Sequence, residues 1–171
     1  MEFIQVQSWD DFRAKEIYHA YETTFPPEER RNAQMFRQLF SRPEVKVLSV
    51  LHRLNNIGYL IVWELSDFVF VEHFEIFSEF RSLKYGSEIM QHLIKEHTHI
   101  VLETEPAPFS EEAANRVEFY QRNDFEILDT EYIQPPYSAE TNSVNLWLMA
   151  NWKPENHEVI VEEIYDVVYK K

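Results

Sequence analysis

The stretch RSLKYGS, Arg81 to Ser87, sits between an apolar β-rich run and an amphipathic helical one and holds one of the two glycines in the 171-residue chain. A loop that feeds a helix start presents several unpaired N–H groups and the positive end of the helix dipole, which suits an anion and best of all a phosphate. Gly86 would let the backbone approach such a ligand, and Arg81 and Lys84 add positive charge to an otherwise acidic protein. Just upstream, Glu72, His73 and Glu75 invite a metal. Alternation along a strand would put Phe70, Glu72 and Phe74 on one face and His73 with Glu75 on the other. No His-rich spacing accompanies them, so no metal site is predicted. The chain has no cysteine, which excludes disulfides, thiolate ligands and a cysteine nucleophile.

The elements around this loop follow from pattern. Met1 to Gln7 reads as a first strand, and Ser8 as the cap of a helix carrying Phe12, Ile17 and Tyr21 along one side. The prolines of FPPEERR, Phe25 to Arg31, end that helix, and Asn32 can cap a shorter one with Met35, Phe36, Leu39 and Phe40. Three β-rich runs follow, VKVLSVL, IGYLIVW and DFVFVEHFEIF, the first two joined by LNNIG, whose Asn and Gly tolerate the positive φ of a hairpin. Gly86 to His97 is predicted helical with Ile89, Met90, Leu93 and Ile94 on one face, IVLETE as a strand, and Ser110 to Arg122 as a helix. FEILDTEYI and SVNLWLM would close the sheet, joined by QPPYSAETN, and a last helix from His157 would hold Ile160, Ile164, Val167 and Val168, its final lysines complementing the dipole. The order β-α-α-β-β-β-α-β-α-β-β-α reads as an α+β or mixed α/β fold in a single domain over 1–171, with 155–171 a C-terminal helical extension. That extension would either pack across the sheet or pair with a second copy in a homodimer.

Composition narrows the partners. Thirty acidic side chains against sixteen basic ones give a formal charge of −14, a surface that repels a nucleic-acid backbone and favours cationic partners such as amines. No run of about 18 apolar residues is present, so no membrane span is expected. The start MEFIQVQSWDD lacks the layout of a signal peptide, which with the missing cysteines suggests a cytoplasmic protein.

Arg81-Ser82-Leu83-Lys84-Tyr85-Gly86 resembles the Arg/Gln-x-x-Gly-x-Gly/Ala loop of the GCN5-related N-acetyltransferase (GNAT) superfamily, and NRVEFYQRNDF, Asn115 to Phe125, resembles that superfamily's second signature. The element order matches over roughly residues 1–150. EHFEIF, LETEP, RVEFY and QPPY are similar to a bacterial subgroup of small acetyltransferases, in which a stretch like FPPEERR borders the acceptor site. Lys84 stands where the family usually has glycine, and Asp124 replaces the glycine of its Gly-Phe pair.

The resemblance implies a mostly antiparallel central sheet with helices on both faces and a splayed parallel pair at the cofactor site. It implies acetyl-CoA as the acetyl donor, with its pyrophosphate on Arg81, Ser82, Leu83, Lys84, Tyr85, Gly86 and Ser87, and its pantetheine along Phe74, Glu75 and Ile76. Asn115 and Tyr120 join this set. One N–H, of Ile76 or a neighbour, would polarise the thioester carbonyl. Tyr120 takes the position of the usual general acid, a phenol of pKa ~10 able to protonate the leaving thiolate. Glu72 and Glu103 both fall where the family places acceptor-facing or catalytic carboxylates, and either would serve as general base if burial raised its pKa. Two readings stay open: an N-acetyltransferase acting by direct attack on a primary amine of a small molecule or protein, and a non-catalytic acyl-CoA-binding or sensory domain on the same fold. A structural interaction protein would explain the composition but not the paired motifs.

Overall fold

The computed structural model describes residues 1–170. In chain order the elements are β1 (Glu2–Val6), α1 (Phe12–Thr24), α2 (Ala33–Leu39), β2 (Val45–His52), β3 (Asn55–Glu64), β4 (Val69–Ile76), α3 (Tyr85–Glu96), β5 (Ile100–Thr104), α4 (Glu111–Gln121), β6 (Glu126–Asp129), β7 (Ile133–Gln134), β8 (Val144–Asn145), β9 (Trp147–Ala150) and α5 (His157–Ile164), which widens into a π-type turn over Tyr165–Tyr169. Lys171, one of the two lysines expected to close the last helix, lies outside the described residues. The main sheet runs β1-β2-β3-β4-β5-β9-β6, all antiparallel except β4–β5, and β7 and β8 form a separate small ladder. This is a mixed α/β fold with helices on both faces. Ala14, Ile17, Tyr21, Phe36, Leu39, Ile160 and Ile164 from α1, α2 and α5 pack on one side of the sheet. Ile89, Met90, Leu93, Val117 and Tyr120 from α3 and α4 pack on the other.

Several details depart from the sequence expectations. Asp11, not Ser8, caps α1 by accepting the Arg13 N–H at 2.9 Å. The buried stripe is Ala14, Ile17 and Tyr21, while Phe12, five residues before Ile17 and so across the helix from it, is 70% exposed. The β2–β3 hairpin turns on Arg53 and Leu54, with φ of 47° and 72°, not on Asn and Gly. A two-residue loop needs positive φ at both central positions, and pairing of the flanking strands imposes it on residues that do not favour it. Gly58 instead lies inside β3, where a Cβ would come within 2.1 Å of the Glu75 carbonyl oxygen; it is glycine because β4 passes too close for a side chain. FEILDTEYI splits into β6 and β7 because the Asp129 carboxylate accepts the Glu131 N–H at 2.7 Å and turns the chain. SVNLWLM splits likewise into β8 and β9, and β9 inserts between β5 and β6.

The irregularity that matters most is in β4. Ile61 pairs with His73 and Val62 with Val71, which leaves Glu72 as an extra residue, a β-bulge. Before it, Val69 and Val71 face α3 and α4; after it, Phe74 and Ile76 do. Strict alternation therefore fails, and Glu72 and His73 both project to the α1 side, where Glu72 meets Trp63 and His73 meets Tyr21. The separation of Glu72 from His73 expected from period-two spacing is overturned by that one residue.

Candidate active site

β4 and β5 pair only over Val69–Val71 and Ile100–Leu102. Beyond that, His73–Ile76 pairs with β3 alone and Glu103–Thr104 with β9 alone, so the facing edges of the two strands part. A cavity of about 560 Å³ fills the opening, lined at one end by Arg81, Ser82, Lys84 and Gly86 and at the other by Glu29, Glu72, His73 and Glu103.

At the loop end, Ser82 and Lys84 have φ of 63° and 66°. Lys84 thus adopts the left-handed geometry that favours glycine, at the N-cap of α3, and donates no side-chain cap bond. The first-turn N–H groups of α3 are left free for an external acceptor. The Arg81 side chain is partly engaged, its Nε donating to the Ile76 carbonyl at 2.9 Å and its Nη2 lying 3.4 Å from Glu75. A Cβ on Gly86 would meet the Phe119 ring at 3.1 Å, so what the fold demands of this glycine is room for α4. Leu83 is 53% exposed and, like exposed Asn115, does not line the cavity, because each projects from its element away from the opening. Asp124 has a φ of 67°, which a turn aspartate accommodates.

At the other end the carboxyls divide. The Glu72 side chain is wholly buried; its Oε1 accepts from Arg31 and, at 2.7 Å, from the Tyr137 hydroxyl, and its Oε2 accepts from Trp63 Nε1 at 2.8 Å. Burial would raise its pKa, but the Arg31 charge and the Trp63 donor outweigh burial and hold it below the usual value. His73, T-shaped against Tyr21 and Phe25, is pushed down to about 4 by burial and stays neutral. Glu103 is the opposite case. Burial first, and then the Glu72 charge, push it up to about 8, against the Tyr169 hydroxyl that donates to Oε1 at 2.8 Å. Its Oε2 is shut off from solvent and accepts no well-formed hydrogen bond, although the Tyr132 hydroxyl near the carboxyl favours its charged form. Glu29 is raised to about 7 by burial and by Glu105, which Arg116 bridges at 2.7 Å. Tyr120, 5% exposed, lines the cavity with its pKa pushed up to about 12 by burial, so the phenol keeps its proton.

Among solved structures, a Bacteroides thetaiotaomicron protein assigned to the GNAT acetyltransferase family superposes with a TM-score of 0.92 at 28% identity, over 100% of this chain and 99% of that one. The chain has the fold of the GNAT acetyltransferases. More distant structures share the fold. An aminoglycoside 6′-N-acetyltransferase complexed with coenzyme A aligns at TM-score 0.61 and 14% identity, over 88% of this chain and 96% of that one. An Elizabethkingia anophelis GNAT-family acetyltransferase with acetyl-CoA bound aligns at 0.59 and 10%, over 87% and 95%. No family model matches the sequence, and no curated protein matches it either.

Within this GNAT fold several site residues escaped sequence reading. Arg31 and Glu29 belong to FPPEERR, a stretch whose resemblance pointed to an acceptor-side loop without saying which side chains matter. Glu29 does line the cavity, and Arg31 reaches Glu72 behind it. In QPPY it is Gln134 that lines the opening, while Tyr137 sits behind it on Glu72. Nothing in the sequence signalled Tyr169, delivered from beyond α5.

Proposed function

We propose that the protein moves an acetyl group from acetyl-CoA to a primary amine by direct attack. The observation that carries this is one continuous cavity, opened by the parting of β4 from β5, that starts at free helix N–H groups and ends on carboxyls whose proton affinities lie in the neutral range. The α3 start would hold the pyrophosphate and the unpaired edge of β4 at Phe74, Glu75 and Ile76 the pantetheine amides. Acetyl-CoA supplies the acyl group activated as a thioester. As the amine nitrogen bonds the acyl carbon and the C–S bond breaks, Glu103 takes the amine proton and Tyr120 gives its phenolic proton to sulfur.

Glu103 is assigned the base role over Glu72. A carboxylate held ionised by Arg31, with hydrogen bonds to both oxygens, has little proton affinity, whereas Glu103 lines the cavity, has no cation beside it and is raised to about 8. Glu72 then serves as an anchor. The lining carboxyls Glu105 and Glu112, with Glu29 ionised in part, favour a cationic acceptor, which arrives as an ammonium and must shed a proton before it attacks. Calorimetric titration with acetyl-CoA, followed by thiol release against a panel of amines, tests the proposal. Failure to bind acetyl-CoA at millimolar concentration would sink it; binding without turnover on any amine would leave an acyl-CoA-binding module.

A further inference from the structure

The turn after α5 is tied into the site by four hydrogen bonds. Tyr165 O–H donates to the Ile133 carbonyl at 2.6 Å, Arg42 Nη2 to the Val167 carbonyl at 2.9 Å, Arg31 Nη2 to the Val168 carbonyl at 3.4 Å, and Tyr169 O–H to Glu103 Oε1 at 2.8 Å. Tyr169 is 8% exposed and lies against Tyr137, ring centroids 5.3 Å apart, on which the Arg31 guanidinium also rests. We propose that Tyr169 is a positioning residue for acetyl transfer, gripping Glu103 Oε1 so that the carboxyl keeps one orientation at the end of the cavity and takes the acceptor's proton directly or through water. The inference rests on the reading of Glu103 as proton acceptor.

Glu103 stands on β5 past the point where β4 departs, with Leu148 of β9 as its strand partner. Among the described residues, the Tyr169 hydroxyl makes the one well-formed hydrogen bond to its carboxyl, and the Tyr132 hydroxyl lies close enough to favour the charged form as well. A glutamate side chain with no grip samples several rotamers, and a base must be held in line with the proton it removes. The groups that face Glu103 from the surrounding elements are Glu72, Glu29, Tyr132, Tyr137, Tyr165 and Tyr169. Burial raises all four phenols above their ordinary value, so Tyr169 remains a donor throughout the neutral range. Glu72 is ionised and spoken for by Arg31, and no cation touches Glu103 to take the hydroxyl's place. A donor to the carboxylate favours its charged form, so the Tyr169 hydroxyl opposes burial and the Glu72 charge.

The test is Tyr169→Phe in the full chain, read two ways: the pH profile of kcat/KM for acetyl transfer, and the carbon-13 titration of the Glu103 carboxyl in glutamate-labelled protein. The expected result is an acid limb and a carboxyl midpoint that both move to higher pH. Activity at pH 7 should fall by about tenfold, since a hydrogen bond to a charged group is worth roughly one pKa unit or more, with KM for acetyl-CoA held. A carboxyl midpoint that stays in place, or a uniform loss of rate with no movement of the limb, overturns the proposal. Glu103→Gln with full activity would instead refute the proton-acceptor reading, which the carbon-13 midpoint does not depend on.

Discussion

The buried Arg31–Glu72 pair makes a quantitative claim about what holds the acceptor end together. Arg31 is 4% exposed, donates to Glu72 and to the Val168 carbonyl, and lies over the Trp63 and Tyr137 rings at 5.4 and 4.6 Å. Replacing it with methionine strands an anion between Trp63 and Tyr137. Breaking one partner of such a pair costs about 3–5 kcal/mol, and the lost guanidinium–ring contacts add roughly 1 kcal/mol more. Glu72→Gln strands the cation instead, at a similar cost. In the Arg31→Met, Glu72→Gln double variant neither charge is left alone, so its loss should fall short of the sum of the singles by about 2–3 kcal/mol. In Arg31→Met alone, burial loses its main opponent, the Trp63 hydrogen bond does not offset it, and the Glu72 pKa rises above its unfolded value. The folded state then binds more protons than the unfolded one, and the penalty grows as pH rises above that unfolded value. Urea midpoints at pH 5.5 and 8 for the four proteins, with constant m, measure all of this. Single variants that each cost below about 1 kcal/mol and simply add would refute the reasoning, because the pair would then be an ordinary surface-strength contact.

Four further outcomes are expected. With Glu103 near 8, about one molecule in ten holds it ionised at pH 7, so kcat/KM should climb about tenfold to a plateau above pH 8, and Glu103→Gln should remove the limb and about 10²–10⁴ of rate; a limb that tracks the pKa of whichever amine is supplied would show that the enzyme's group is not being seen. Tyr120→Phe should lower kcat by about 10²-fold with acetyl-CoA affinity retained, and unchanged turnover would remove its acid role. Gly58→Ala, which forces a Cβ to within 2.1 Å of a backbone carbonyl, should cost about 3 kcal/mol, and Gly86→Ala less, since it meets only the Phe119 ring edge at 3.1 Å; thermal midpoints in the reverse order would contradict the stated reason for each glycine. His73, lowered from 6.5 to about 4, binds fewer protons folded than unfolded across that interval, so roughly 3 kcal/mol of stability should drain away as pH falls through it, and a His73→Phe variant whose urea midpoint fell just as steeply would assign the acid loss elsewhere.

What could be read from the amino acids alone was what is local. The RSLKYGS loop, the Ser110 cap and the three hairpin strands each announce themselves within a few residues, because caps, turns and periodicity act at short range. The bulge at Glu72 was not readable, since an extra residue in one strand is defined only by which residues pair across from it. From that error followed the mistaken placing of Glu72 and His73 on opposite faces. Arg31 lies 41 positions from Glu72, and Tyr169 lies 66 from Glu103; no periodicity links residues so far apart, so the surroundings of these two carboxyls emerged only with the fold. Arg53 and Leu54 mark a different limit, where strand pairing overrides the local preference of the turn residues.

The bulge and its neighbours also bear on how such a protein can change over generations. On the proposed reading, the end that would hold the donor's pyrophosphate is made from one uninterrupted stretch, Arg81 to Ser87 and the start of α3, so its chemistry is inherited as a block and most replacements there would damage the same grip. The acceptor end is assembled from Glu29 and Arg31, Trp63, Glu72, Glu103, Tyr137 and Tyr169, contributed by segments scattered along the chain. Many separate single substitutions can therefore reshape what enters that end without touching the donor's seat. On this architecture a lineage can exchange one acceptor for another far more readily than it can abandon its acyl donor.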